Sequence, residues 1–114
     1  MNKKIIAIDF DTTITEFSPY PITGRVRKSA KKYIKKLYER GYCLVLWTCR
    51  EKDSLDEAIN ILIDNDLYKY FSYINDSPIK SGRKIYADFY IDDKSVIGEI
   101  DWFSIYTYIV SNIK

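Results

Sequence analysis

Apolar and polar positions follow two rhythms along this chain. Ile5-Ile6-Ala7-Ile8 is a continuous, largely β-branched run, the mark of a strand buried on both faces. After a loop from Glu16 to Gly24, signalled by two prolines, a serine and a glycine, the rhythm changes. Val26, Ala30, Tyr33, Ile34 and Leu37 recur at spacings of three and four, which predicts an amphipathic helix from Arg25 or Val26 to Arg40. Gly41 is placed to end it as a left-handed cap. Tyr42 to Trp47 reads as a second buried strand, ending at Thr48-Cys49-Arg50. Ser54-Leu55-Asp56-Glu57 has the form of a capping box and opens a helix that ends near Asn65-Asp66. A short strand is expected from Phe71 to Ile74, a polar loop from Ile79 to Lys84, and a strand from about Ala87 to Ile91. Asp101 to Ile113 reads as a closing helix, with Trp102, Ile105, Tyr106, Ile109 and Ile113 on one face.

Strands that alternate with helices predict an α/β fold: a three-layer, Rossmann-like parallel sheet. With 114 residues, the chain makes one domain, residues 1–114, with a full core and little left for a second one.

The strands share a further property, because each apolar run stops at a polar group. The first ends at Asp9 and Asp11, the second at Thr48, the last at Asp92 and Asp93. Ligands of open α/β sheets bind beyond the carboxyl ends of the strands. Two acids one residue apart at that edge form a cluster that is costly unless a proton or cation offsets it. Any one of these residues has an ordinary reading: an aspartate as a helix cap, a threonine at a strand end, a lysine on the surface. Their coincidence at one edge is what carries the functional reading.

Charge and composition narrow the chemistry. A net charge of +2 does not indicate nucleic acid, although Arg25, Arg27, Lys28, Lys31, Lys32, Lys35 and Lys36 crowd one segment. That basic helix reads as a solvated face, with a landing surface for an anionic macromolecule as its alternative. No apolar run approaches the roughly 20 residues that span a bilayer, and the run before Asp9 is too short for a signal peptide. Cys43 and Cys49, the only two cysteines, read as reduced thiols of a cytoplasmic protein. The absence of histidine excludes a His-based triad. Carboxylates, hydroxyls, lysines and a hard metal ion remain. A carboxylate can attack a phosphoryl group, and Mg²⁺, an oxygen-seeking ion, offsets the meeting of two anions.

Asp9-Phe10-Asp11-Thr12-Thr13 resembles the first motif, Asp-x-Asp-x-Thr, of the haloacid dehalogenase-like (HAD) superfamily of phosphohydrolases. Thr48 is similar to its second motif, Lys84 or else Lys80 to its third, and Asp92-Asp93 to its acidic fourth. The resemblance spans the chain and implies a Mg²⁺-dependent phosphatase. In it Asp9 is the nucleophile and Asp11 the general acid and base. Thr48 and Lys84 bind phosphate oxygens. Mg²⁺ is held by the Asp9 side chain, the Asp11 carbonyl and Asp92, with Asp93 behind them. Family members often carry a cap domain, and the spacing here leaves room for none, so the loop from Glu16 to Gly24 is the only local flap. The substrate implied is a phosphorylated small molecule or an exposed macromolecular phosphate, with homo-oligomerisation left open. Position 12 is usually glycine in the family. Because a β-branched residue resists left-handed torsions, the turn after Asp11 is expected to be one that threonine tolerates. Arg50 reads as a solvated arginine rather than a substrate contact.

Two other readings stand beside the phosphatase. A phospho-receiver domain also gathers acids, Thr and Lys around Mg²⁺, but its adjacent acid pair comes early, whereas here Asp92-Asp93 comes last. A catalytically silent HAD-fold subunit would bind without turnover.

Overall fold

The structure is a computed structural model that describes residues 3–19, 21–80, 82–94 and 99–112. Tyr20, Ser81 and Ile113, which fall within the loop and helix expectations above, lie outside them. The elements run β1 (Ile5–Ile8), α1 (Lys28–Glu39), β2 (Cys43–Leu46), α2 (Lys52–Asp64), a 3₁₀ turn (Tyr68–Tyr70), β3 (Phe71–Ile74), β4 (Phe89–Ile91) and α3 (Trp102–Ser111). The strands form one parallel sheet in the order β3-β2-β1-β4. This is the Rossmann-like α/β arrangement that the alternating pattern predicts.

Strand order decides which face each connection covers. From β1 to β2 to β3 the chain steps in one direction, so right-handed crossovers put α1 and α2 on the same face. Ala30, Ile34 and Leu37 of α1 and Ala58 and Leu62 of α2 there meet Ile6, Ile8, Leu44 and Leu46. Trp102 and Ile109 of α3 join the same core. β4 lies on the other side of β1, so its connection crosses the opposite face. Among the described residues that layer has no helix: Ile85 and Ala87, from the connection after β3, pack on Ile5, Ala7 and Val45. No helix among the described residues is long and apolar enough to cross a membrane.

Several boundaries differ from the expected ones, each for a local reason. α1 starts at Lys28 rather than at residue 25 or 26, because Val26 bridges antiparallel to Thr15 and the Arg27 N–H bonds the Ile14 carbonyl at 2.8 Å. Those contacts hold the chain extended up to Arg27. The end of α1 is as expected. Gly41 sits at φ +95°, with its N–H on the Tyr38 carbonyl and the Tyr42 N–H on that of Leu37, a Schellman cap.

α2 begins before the expected capping box. Ser54 is the third residue of the helix, and its Oγ accepts from the Glu51 N–H at 3.2 Å and donates to the Glu51 carbonyl at 2.8 Å. Glu57 is engaged elsewhere, by Arg50. β2 is shorter by one residue at each end than the expected Tyr42–Trp47, and β4 starts two residues after Ala87. α3 begins after Asp101, whose Oδ1 accepts from the Ser104 N–H.

Candidate functional site

The sheet ladder continues one residue past the strands and so aligns their ends. The Asp9 N–H bonds the Ile91 carbonyl at 2.9 Å, the Trp47 N–H bonds Ile8 at 2.9 Å, and the Asn75 N–H bonds Leu46 at 2.7 Å. These bonds bring Asp9, Thr48, Asn75 and Asp92 to one edge. Asp9, Asp11, Thr48, Asp92 and Asp93 line a single open cavity of about 220 Å³. Five of the residues expected in the site therefore meet.

The turn after β1 is organised by Thr13, which is fully buried. Its hydroxyl donates to Asp9 Oδ2 at 3.1 Å and accepts the Asp93 N–H at 3.0 Å. Its carbonyl accepts the Trp102 indole N–H at 2.9 Å inside the core. One side chain thus links the Asp9 carboxylate to the Asp93 backbone, and α3 holds that residue through its main-chain carbonyl. Thr13 belongs to the first motif, yet spacing alone gives it no task; its role follows from its contacts with Asp93 and Trp102, both 80 or more residues away.

Thr12 is the position where glycine is usual in the resembling family. It adopts φ +63°, the left-handed torsion that a β-branched residue resists at a cost of about 1–2 kcal/mol. Both of its backbone polar groups are tied. Its N–H bonds Thr15 Oγ1 at 3.0 Å and its carbonyl accepts from Arg27 Nη2 at 2.9 Å. The turn is therefore not the torsionally ordinary one expected for threonine. Arg27 and Thr15 hold it against its preference.

The carboxylates of Asp9, Asp92 and Asp93 present oxygens that all lie within 4.8 Å of one another. Burial pushes the Asp9 carboxyl up from 3.8 to about 8, assisted by a hydrogen bond with Asp93 and the charge of Asp92, against a smaller lowering by Thr13. Without a cation the cluster thus keeps a proton on Asp9 at neutral pH. Three hard oxygen donors at this spacing fit an ion such as Mg²⁺. Asp93 is a member of the carboxylate cluster rather than a group behind it. Asp11, expected to offer only its main-chain carbonyl, turns its side chain to Arg50.

Asp11 faces Arg50. Arg50 Nε bonds Oδ2 at 2.8 Å and Nη2 bonds Oδ1 at 2.7 Å. The arginine side chain is 13% exposed and stacks over Phe10, 5.0 Å from the ring centre. It is not the solvated residue that its sequence position suggests. Thr48 is positioned from two sides: its N–H bonds Asn75 Oδ1 at 2.8 Å, and its Oγ1 accepts the Arg50 N–H at 3.1 Å. The hydroxyl acts as acceptor in this contact and keeps its own proton to donate. Asn75, at φ +52°, shows no chemical motif in the sequence, and only the fold reveals its role.

The lysines do not fall as expected. Lys84 stands over the Tyr90 ring at 4.3 Å, and Lys80 pairs with Asp76 at 2.6 Å. Neither is on the walls of the two cavities at this edge. Lys94 is on the wall instead, beside Asp92 and Asp93, with its N–H on Asp92 Oδ1 at 2.9 Å.

No family model matches this chain, and no curated protein does. A solved structure is similar: a conserved protein coded by a locus of Bacteroides thetaiotaomicron. The two are 37% identical over 99% of this chain and 94% of that one, with a TM-score of 0.85.

Proposed function

The chain belongs to the same family as that conserved Bacteroides thetaiotaomicron protein, and we propose that it is a Mg²⁺-dependent phosphomonoesterase of the HAD type that works through an aspartyl-phosphate at Asp9. The observation that carries this reading is the cluster of Asp9, Asp92 and Asp93 in one cavity with Asp11 and Thr48. An acid that holds its proton to about pH 8 inside a like-charge cluster is a frequent sign of a working site.

The residues divide the reaction. A carboxylate oxygen of Asp9 attacks phosphorus, the bond from phosphorus to the leaving oxygen breaks, and Asp11 gives that oxygen a proton. Water then attacks the same phosphorus, Asp11 takes a proton from the water, and the bond to Asp9 breaks, which regenerates both aspartates. Mg²⁺ bound by Asp9 and Asp92, with Asp93 beside them, would displace the Asp9 proton and offset the charge of the incoming phosphate. The Thr48 hydroxyl donates to a phosphate oxygen, and Lys94 supplies a positive charge on the wall.

The cavity is small and open, and no cap covers it among the described residues, which suits a phosphate presented on a small molecule or exposed on a macromolecule. The free thiols of Cys43 and Cys49 support a cytoplasmic setting.

The test is phosphate release from an aryl phosphate and a metabolite panel with Mg²⁺, for wild type and Asp9→Asn. Turnover by the wild type that disappears in the variant supports the reading, and turnover that survives Asp9→Asn ends it. Mg²⁺ binding without turnover would favour the silent-subunit reading.

A further inference from the structure

Arg50 has five N–H donors, and the structure accounts for every one. Nε and one Nη2 hydrogen go to the two oxygens of Asp11 at 2.8 and 2.7 Å, and the other Nη2 hydrogen goes to Thr23 Oγ1 at 2.9 Å. Nη1 donates to the Ser54 carbonyl and to Glu57 Oε1, both at 3.0 Å. A guanidinium with no donor left is poorly suited to grip substrate phosphate. Its planar fork instead fixes the plane in which it holds a carboxylate. Three parts of the molecule converge on it: the turn after β1, the flap of residues 16–24 through Thr23, and the start of α2.

We propose that Arg50 is a positioning residue: its fork takes one lone pair of each Asp11 oxygen and fixes the plane of the carboxylate, so that the remaining lone pairs face the proton exchanged with the leaving group, and Thr23 ties that plane to the flap. The proposal rests on the phosphatase reading of Asp11. It makes Thr23 the contact that couples the flap to Asp11. It also separates Arg50 from the groups that bind phosphate, Thr48 and Lys94.

The experiment compares wild type, Arg50→Lys and Thr23→Val on two substrates with Mg²⁺: an alkyl phosphate, whose leaving oxygen needs a proton, and p-nitrophenyl phosphate, whose leaving group does not. Lysine keeps the charge but lacks the planar fork that holds the Asp11 carboxylate in one plane. Arg50→Lys is expected to lower kcat on the alkyl phosphate by about 10- to 100-fold and on the aryl phosphate by less than about threefold, with KM little changed. Thr23→Val should give the same pattern at roughly two- to fivefold, and it carries the comparison if Arg50→Lys does not fold. Equal losses on both substrates, a large rise in KM, or no loss overturns the proposal. A wild type silent on both substrates and on the metabolite panel instead ends the phosphatase reading. The clamp is then read from the ¹⁵N–¹H resonance of Arg50 Nε, which should be protected from exchange in wild type and unprotected in Asp11→Ala. An unprotected wild-type resonance overturns the clamp itself.

Discussion

Arg50 and Asp11, 39 residues apart in the chain, meet through two parallel hydrogen bonds of 2.8 and 2.7 Å. The pair joins the turn after β1 to the turn after β2 across the floor of the site. Asp11 is about half exposed, so the attraction contributes only about 1 kcal/mol or less to stability. What the pair supplies is direction. Nε approaches one oxygen and Nη2 the other, which leaves the carboxylate little freedom to turn.

Asp9→Asn is expected to abolish turnover and to stabilise the metal-free protein. The amide keeps an oxygen for the Thr13 hydroxyl and removes a group that the Asp92 and Asp93 charges disfavour. Thermal denaturation should show an upward shift that is larger at pH 8 than at pH 5. A lowered midpoint at pH 8 would mean that the cluster is not repulsive.

Proton linkage sets how the wild type responds to pH. Asp9 holds its proton to about pH 8 when folded, against 3.8 for the unfolded chain. Between those values the native state binds the extra proton, so this group's contribution to stability falls as pH rises from about 4 to 8 and then levels off. Mg²⁺ must displace the same proton, and its affinity should rise over that interval. Calorimetry in buffers of different ionisation enthalpy should detect proton release on binding at pH 6 and little at pH 9. Affinity independent of pH would contradict the shift.

Thr12→Gly should stabilise the fold by about 1 kcal/mol. Relief of the left-handed threonine is worth about 1–2 kcal/mol, part of which is offset by the greater freedom of glycine in the unfolded chain. Urea denaturation measures the change. A destabilised variant would show that contacts of the Thr12 side chain outweigh the strain.

Trp102→Phe should cost about 2–4 kcal/mol, since it leaves a cavity and removes the donor to the buried Thr13 carbonyl. Because Thr13 positions Asp9 and Asp93, the folded fraction should also bind Mg²⁺ more weakly. Intact Mg²⁺ affinity in the folded variant would uncouple α3 from the site.

The sequence pattern reveals the elements whose signal is local. Ile5–Ile8 and Phe71–Ile74 match their strands residue for residue, and Gly41 caps α1 as its position suggests. The aspartates and Thr48 were legible because strand ends in a parallel sheet share an edge. Arg50, Thr13 and Asn75 were not, because their tasks depend on partners 27 to 89 residues away. The expected capping box failed by register: the helix starts three residues earlier, with Glu51 as its cap and Ser54 at the third position. Lys84 has the right place in the motif order, yet the connection after β3 carries it over Tyr90, and no periodic pattern encodes that path.

The flap leaves and rejoins the domain at a single point. Glu16 and Arg25 are joined by a backbone hydrogen bond of 2.7 Å, Thr15 bridges Val26, and the missing side chain of Gly24 leaves room for the Glu16 backbone. Closing a longer loop across such a neck costs only about 0.6 kcal/mol for each doubling of its length. A folded insert spliced between Phe17 and Ile22, which keeps Thr23 on Arg50, would therefore leave β1, α1 and the aspartates where they are. The neck is a socket already built for a graft, through which this small body could acquire a lid, and a new choice of substrate, without redesign of its chemistry.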